Sequence, residues 1–264
     1  MKLGFIGCGN MASAMMKGII ENKIIGSDEI IASDVLEASV CKAKNNLGIA
    51  VTTDNKEVVS KSDIIVLAVK PQYYESVITE IKDSVNSEQI IVTIAPGKTL
   101  DWVSDKFGRN IKIVRTMPNT PALVGEGITA LCRNENVTEE ELDRVVTIMK
   151  GFGKCEVISE GLMDVVVSVS SSSPAYVFMF IEAMADAAVA DGMPRAQAYE
   201  FAAQAVLGSA KMVLETGKHP GELKDMVCSP GGTTIEAVRV LEEKGMRSAV
   251  IEAMKACTAK AKGL

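Results

Sequence analysis

The fold is decided near the start of the chain, where Lys2–Ala12 reads KLGFIGCGNMA. The apolar run Leu3–Ile6 predicts a buried strand, and the turn that follows it has the spacing G-x-G-x-x-A. Beyond the turn, Met15 and Ile19 continue an apolar series at helical spacing, which predicts a helix beginning directly after the glycines. A strand, a glycine-rich turn and a helix in this order are typical of the first unit of a Rossmann domain.

The same alternation continues to about residue 160, where short apolar runs are separated by amphipathic helices such as Thr99–Phe107 and Thr138–Lys150. This order predicts an α/β domain over residues 1–160, with a doubly wound parallel sheet and helices on both faces. The predicted strands are Lys2–Gly7, Glu29–Ser33, Asp63–Val69, Gln89–Ile94, Ile111–Met117, Gly127–Cys132 and Lys154–Ile158.

Residues 161–264 lack β-type alternation and predict an all-α domain. The stretch Gly161–Ala190 is apolar on nearly every helical face, so it needs cover on all sides. A domain of this size cannot supply that cover alone, and we expect a second copy of the chain to do so. The predicted helices are Gly161–Asp191, Pro194–Glu215, His219–Val227, Thr233–Glu243 and Met246–Lys262.

Composition excludes several classes of partner. The chain has 34 acidic and 28 basic residues, a net charge of -6, which argues against nucleic acid as the main partner. Six cysteines without a C-x-x-C pair predict reduced thiols in a cytoplasmic protein, and the lone His219 argues against a metal site. Leu3–Ile6 is too short for a signal peptide and Val165–Ile181 too short for a membrane helix, so no membrane is expected.

The glycine-rich turn predicts a dinucleotide site. Gly7 permits the tight turn, Gly9 lets a pyrophosphate approach the backbone, and Ala12 keeps helix and strand close. The alternative is a tight turn without a ligand. Because ligands of such sheets bind at the carboxyl ends of the strands, the following residues are expected to bind the cofactor. They are Ile6, Gly7, Cys8, Gly9, Asn10, Met11, Ser33, Asp34, Asn55, Ala68, Val69, Lys70, Pro71 and Ala95.

Two charged residues in this set have alternative interpretations. Asp34 ends the second predicted strand, where an acid usually binds the adenosine ribose and favours NADH, and no Lys or Arg lies between Gly26 and Cys41. The alternative is that Asp34 only caps the next helix. Lys70 is expected to serve the cofactor's phosphates or ribose, and the alternative is a solvated loop lysine.

Two segments of the helical part have an unusual composition. Ser229–Thr234 reads SPGGTT between two predicted helices, so it offers free amides and hydroxyls at a helix N-terminus. This arrangement predicts a nest for a small carboxylate, and the alternative is a capped interhelical turn. The second segment, Ser170–Tyr176, carries four consecutive serines before a proline.

At this point the sequence resembles the pyrroline-5-carboxylate reductase family. The resemblance rests on LKDMVCSPGGTTIEAVRVL at 223–241, with GFIGCGNM, LAVKPQ, MPNTP, SPAYVF and HPGELKDMV elsewhere, and it covers essentially the whole chain. It implies reduction of 1-pyrroline-5-carboxylate to L-proline with NADPH or NADH, in homodimers formed by the helical domain and possibly in decamers. The chain departs from the family pattern at Ser171 and Ser173, which replace glycines, and at Pro96, which replaces an alanine.

The resemblance also implies roles for the helical part, as a substrate-binding and dimerisation domain over residues 161–264. The catalytic candidate is Thr234, whose hydroxyl would bond the ring nitrogen, and Tyr176 is either a site residue or a core aromatic. Helix and cofactor would meet either within one chain or across a dimer. The expected substrate-binding residues are Ser229, Gly231, Gly232, Thr233 and Thr234.

Two other functions remain as alternatives. One is a β-hydroxyacid dehydrogenase, a class that resembles this arrangement but carries a catalytic lysine four residues after a glycine-rich turn. The corresponding stretch here, Ser170–Phe180, contains no lysine. The other is a dinucleotide-binding protein without catalytic activity, which a turnover assay separates from a reductase.

Overall fold

The computed structural model describes residues 1–263, and the chain divides into two compact units. The first unit comprises Met1–Ser171 together with the chain from Thr258 onward, and the second comprises Ser172–Cys257. Strands occur only in the first unit, and the regular elements of the second are all helices. The last strand ends at Val157, close to the boundary predicted at residue 160, whereas the packing boundary lies at Ser171.

A single sheet of eight strands forms the centre of the first unit. The strands are β1 Leu3–Ile6, β2 Ile30–Ser33, β3 Ala50–Thr52, β4 Ile64–Leu67, β5 Ile90–Thr93, β6 Lys112–Met117, β7 Gly127–Arg133 and β8 Gly153–Val157. They lie in the order β3-β2-β1-β4-β5-β6-β7-β8, so the chain winds outward in both directions from β1 and β4. This is the predicted doubly wound arrangement, and every predicted strand is present within two residues of its expected ends.

The structure differs from the predicted sheet in two places. β7 runs antiparallel to β6, although β8 is again parallel to β7. The cause is the connection from Pro118 to Glu126, which is shorter than the about twelve residues that a parallel crossover needs. β3 was not predicted, because this edge strand is short and partly exposed and therefore has no continuous apolar run.

Helices cover both faces of this sheet. They are α1 Asn10–Glu21, α2 Glu37–Leu47, α3 Asn55–Ser60, α4 Tyr74–Ile81, α5 Leu100–Phe107 and α6 Glu139–Met149. α1, α2 and α6 pack on one face, and α3, α4 and α5 pack on the other. Along β4, Ile64 and Val66 point to the first face while Ile65 and Leu67 point to the second, which explains why the central strands read as unbroken apolar runs.

The later helices are α7 Met163–Val166, α8 Ser173–Ala190, α9 Arg195–Thr216, α10 Pro220–Val227, α11 Thr233–Glu243 and α12 Met246–Ala261. The prediction of one helix over Gly161–Asp191 was wrong, because a π-helical turn at Val167–Ser171 separates α7 from α8. Serine hydroxyls at this turn bond backbone carbonyls, as in the bond from Ser170 Oγ to Val166 O at 3.1 Å. Pro174 has no N–H and lies in the first turn of α8, where a proline is tolerated.

Little of this apolar segment is covered within one chain. Of the most apolar 18 residues within Glu160–Ala190, only 11% are buried. On α8, Phe178 and Met179 remain 64% and 69% exposed. Exposed apolar surfaces of this extent mark sites of association. That a second copy of the chain covers this segment stays a prediction.

Candidate functional site

The glycine-rich turn joins β1 to α1 at the carboxyl edge of the sheet. Gly7 has a φ of 108°, and a Cβ on it would lie 2.7 Å from the carbonyl oxygen of Ala68. Its N–H donates to the carbonyl oxygen of Ser33 at 2.7 Å. Both the backbone conformation and the close approach to the end of β4 therefore require glycine at position 7.

The turn presents uncovered amide groups at the N-terminus of α1. Gly9 is the N-cap residue, and no side chain accepts a hydrogen bond there. The first N–H groups of a helix have no acceptor within it, and they carry a partial positive charge. A Cβ on Gly9 would meet no atom within 4 Å, so open space lies directly beside these donors. A pyrophosphate fits this combination of free donors and open space.

The carboxylate of Asp34 is held against the same turn. Its Oδ2 accepts a hydrogen bond from Cys8 N at 2.8 Å, and its Oδ1 accepts one from Leu36 N at 3.0 Å. The N-cap residue of α2 is Leu36, and no side chain caps that helix. The interpretation of Asp34 as a helix cap is therefore wrong, because its carboxylate links the end of β2 to the glycine-rich turn instead.

Cys8 is the only thiol in the turn, and its environment keeps it protonated. Burial, reinforced by the negative charge of Asp34, raises the pKa of Cys8 to about 12. Its Sγ donates to the carbonyl oxygen of Ser33 at 3.5 Å. Only a thiolate acts as a nucleophile, so the structure gives Cys8 a packing role within the loop.

Asn55 lies at the start of α3 and is joined by its side chain to two other elements. The Ser33 hydroxyl donates to Asn55 Oδ1 at 2.7 Å, and Asn55 Nδ2 donates to Glu80 Oε2 at 2.8 Å. Ser33 is fully buried and Asn55 nearly so, whereas Glu80 lies on the exposed side of α4. Residues from β2, α3 and α4 thus form one polar chain at this edge.

The ends of β4 and β5 are tied together by a tyrosine that the sequence did not single out. The fully buried Tyr74 donates to the carbonyl oxygen of Leu67 at 2.5 Å and accepts from Ile94 N at 3.2 Å. Its burial raises the pKa of Tyr74 to about 12, so it stays a neutral phenol. In the sequence, Tyr74 looks like one more apolar core residue, and no feature there indicates that its hydroxyl joins two strand ends.

The residues predicted after these strands are brought to the same edge. Parallel register places Ile6 beside both Ser33 and Leu67, and Leu67 beside Thr93. Ala68 and Val69 are half-buried, and Ala95 is buried. Lys70 and Pro71 are exposed. The first unit therefore gathers the whole predicted cofactor set around the carboxyl ends of β1, β2, β4 and β5.

In the second unit, Ser229–Thr234 forms a tight turn between α10 and α11. The Gly232 N–H donates to the Ser229 carbonyl oxygen at 3.0 Å, and Gly231 has a φ of 66°. Gly232 is the N-cap residue of α11, and no side chain caps this helix either. Among residues 1–263, the half-buried Thr234 hydroxyl has no hydrogen-bond partner. No side chain therefore caps this terminus, whereas the alternative of an interhelical turn without a ligand stays open.

Three other residues noted in the sequence have local roles. His219 is the N-cap residue of α10, where its Nδ1 accepts from Gly221 N at 3.0 Å. Asn119, within the MPNTP motif, donates to the carbonyl oxygen of Ser170 at 3.0 Å and thereby holds the π-helical turn. Tyr176 is half-buried. Its pKa is raised mainly by a hydrogen bond with the Cys257 side chain and to a lesser degree by burial.

Two family models match the chain. Residues 160–264 match a model described as pyrroline-5-carboxylate reductase dimerisation, and residues 2–97 match one described as NADP oxidoreductase, coenzyme F420-dependent. Among curated proteins, the pyrroline-5-carboxylate reductase of Escherichia coli is 55% identical over 263 residues, which is 100% of this chain and 98% of that protein. The reductase of Methanosarcina acetivorans is 45% identical over 263 residues, covering 100% of this chain and 97% of that protein.

Solved structures agree with these matches. A pyrroline-5-carboxylate reductase from Coxiella burnetii superposes with a TM-score of 0.92 at 34% identity, covering 99% of this chain and 97% of that one. A pyrroline carboxylate reductase from Plasmodium falciparum, solved with NADP bound, superposes with a TM-score of 0.90 at 34% identity and the same coverage of 99% and 97%.

Proposed function

The chain belongs to the pyrroline-5-carboxylate reductase family, and from this membership we infer that it reduces 1-pyrroline-5-carboxylate to L-proline. It is an oxidoreductase that uses NADPH or NADH. The full-length match to the Escherichia coli reductase carries this conclusion, because it includes both units. The fold alone would not suffice, since Rossmann domains serve many unrelated reactions.

We propose that the cofactor's pyrophosphate binds over the turn Gly7–Met11. The uncapped N–H groups of α1 and the open space beside Gly9 support this assignment. The adenosine ribose is assigned to the end of β2 and the start of α3, where Ser33, Asp34 and Asn55 lie. Ala68–Pro71 and Ala95 border the remaining part of the cofactor.

We assign the substrate carboxylate to the turn Ser229–Thr233 and the ring nitrogen to the Thr234 hydroxyl. The uncapped terminus of α11 offers N–H donors, so a carboxylate can bind there without an arginine. When bound, the reduced dinucleotide supplies the hydride that the C=N carbon accepts. The protonated ring nitrogen donates to the Thr234 hydroxyl. The main task of these residues is therefore to hold an already electrophilic iminium, and such positioning can be worth about 7–11 kcal/mol.

Steady-state kinetics with 1-pyrroline-5-carboxylate test the proposed reaction. We expect the purified protein to oxidise NADH or NADPH only when the imine is present, with proline formed in equal amount. Omission of the imine and replacement of it by a β-hydroxyacid are the controls. Cofactor oxidation without proline, or turnover of the hydroxyacid instead, would contradict the assignment.

We expect the carboxylate of Asp34 to shift the cofactor preference towards NADH. Its carboxylate lies at the ribose end of the site and repels the 2′-phosphate of NADPH. We expect Asp34→Ser to raise kcat/KM for NADPH relative to NADH by about ten-fold, the equivalent of 1.4 kcal/mol. Because Asp34 also accepts from Cys8 N, the rate with NADH should fall as well. An unchanged ratio would leave Asp34 with only its role in holding the turn.

Association is the expected state of the helical unit. The chain carries the family's dimerisation region over residues 160–264, and Phe178 and Met179 of α8 are exposed in one chain. Light scattering at micromolar concentration should give at least a homodimer, and we propose that dimers can assemble further into a decamer. An active monomer would contradict the interpretation of α8. We also propose a cytoplasmic location, without membrane or nucleic-acid partners.

A further inference from the structure

One acidic side chain, Glu80, participates in the polar chain at the ribose end of the site although it lies outside every segment assigned to a ligand. It belongs to α4, whose buried residues Tyr74, Val77, Ile78 and Ile81 pack on the sheet. Glu80 itself is exposed, yet its Oε2 accepts from Asn55 Nδ2 at 2.8 Å. A surface glutamate on an amphipathic helix has no packing reason to hold a nearly buried amide.

The bond to Glu80 fixes the orientation of the Asn55 amide. A carboxylate only accepts hydrogen bonds, so the NH₂ group of Asn55 must face Glu80 and the oxygen must face away from it. The oxygen then accepts from the fully buried Ser33 hydroxyl at 2.7 Å. One hydrogen on Nδ2 remains, and it is the side-chain donor that Asn55 can still offer.

The same chain of bonds reaches the glycine-rich turn. Ser33, which donates to Asn55 through its side chain, accepts from Gly7 N through its carbonyl oxygen at 2.7 Å. The next residue, Asp34, accepts from Cys8 N. The amide of Asn55 is therefore fixed relative to the turn assigned to the cofactor, and its free donor is held in one direction.

We propose that Glu80 is a positioning residue for the dinucleotide, which acts by holding Asn55 so that its free amide hydrogen is directed to a hydroxyl of the adenosine ribose. This inference rests on the proposed cofactor site. Glu80 does not touch the cofactor, and its effect passes entirely through Asn55. It should therefore change the affinity for the dinucleotide and leave the chemical step alone.

Glu80→Gln tests the proposal with minimal change of shape. A glutamine can donate as well as accept, so the Asn55 amide is no longer held in one orientation. We expect the Kd for NADH, measured by fluorescence titration without imine, to rise by about three- to ten-fold, as for the loss of one neutral hydrogen bond between the Asn55 amide and the ribose. The kcat at saturating NADH should change by less than about two-fold, because the reacting atoms keep their positions. Glu80 is exposed, so the melting temperature should stay that of the parent.

Glu75→Gln is the matched control, because Glu75 lies on the same helix but pairs with Lys106 at 2.6 Å instead. It should leave the Kd for NADH unchanged. In an Asn55→Ala background, Glu80→Gln should have no further effect on the Kd, since the residue through which it acts is gone. An unchanged Kd in Glu80→Gln, or an effect that persists in the Asn55→Ala background, overturns the proposal. The Kd measurements that decide the proposal are made without the imine, so failure here is separate from failure of the reductase assignment.

Discussion

Gly9→Asp is expected to abolish dinucleotide binding while the fold persists. A side chain at this position enters the open space beside the amides of α1, because a Cβ there meets no atom within 4 Å. The added carboxylate then occupies the place assigned to the pyrophosphate and repels its charge. Aspartate is also a favourable N-cap residue, so α1 should not be destabilised. We expect the Kd for NADH to rise by more than about a hundred-fold, beyond 2.7 kcal/mol, and turnover to be lost.

The matched control is Gly9→Ala, which adds the Cβ without the charge. It should weaken NADH binding less than Gly9→Asp, and both variants should melt within a few degrees of the parent protein. NADH fluorescence titration and thermal unfolding followed by circular dichroism provide the two measurements. If a folded Gly9→Asp variant still bound NADH, the assignment of the pyrophosphate to this turn would be contradicted.

The first βα turn was predictable because its constraints are local. Gly7 must adopt a positive φ, which glycine does without strain, so this requirement is visible in the sequence itself. The central strands were equally visible. Residues of β4 are buried on both faces, which gives the unbroken apolar runs from which the parallel sheet was predicted.

Features that depend on partners distant in sequence were not predictable. Glu80 contacts Asn55 only because α3 and α4 pack side by side, and an exposed glutamate in a helix carries no signal of such a contact. Tyr74 likewise reads as one more apolar position, although its hydroxyl joins the ends of β4 and β5. Spacing along the chain does not encode these side-chain partners.

The π-helical turn shows a third limit. The sequence predicted one helix over Gly161–Asp191, because the segment is apolar on nearly every helical face on both sides of the serines. The interruption arises from competition for backbone carbonyls by Ser168 and Ser170, and from Asn119, which reaches the turn from another part of the chain. A serine run before proline signals a perturbed helix, but it does not specify the kind of perturbation.

Thr234 was identified from the family signature, and the structure shows that its side chain has no structural role in capping α11. Gly232, not Thr234, is the N-cap residue of α11, so the threonine side chain does not cap the helix. Its hydroxyl has no partner among the described residues, and truncation therefore breaks no internal hydrogen bond. Alanine is also a better helix former than threonine. A loss of activity in Thr234→Ala would therefore not come from unfolding.

Thr234→Ala should accordingly lower kcat/KM for the imine by about ten- to a hundred-fold, the effect of losing a hydrogen bond worth 1–3 kcal/mol. The Kd for NADH should stay unchanged, because the hydroxyl is assigned to the substrate rather than to the cofactor. Thr234→Ser, which keeps the hydroxyl and loses only a methyl group, should recover most of the activity. Kinetics with varied imine at saturating NADH, together with NADH titration, separate the two ligands. Full activity in Thr234→Ala, or a defect confined to NADH affinity, would contradict the assignment of this helix terminus to the substrate.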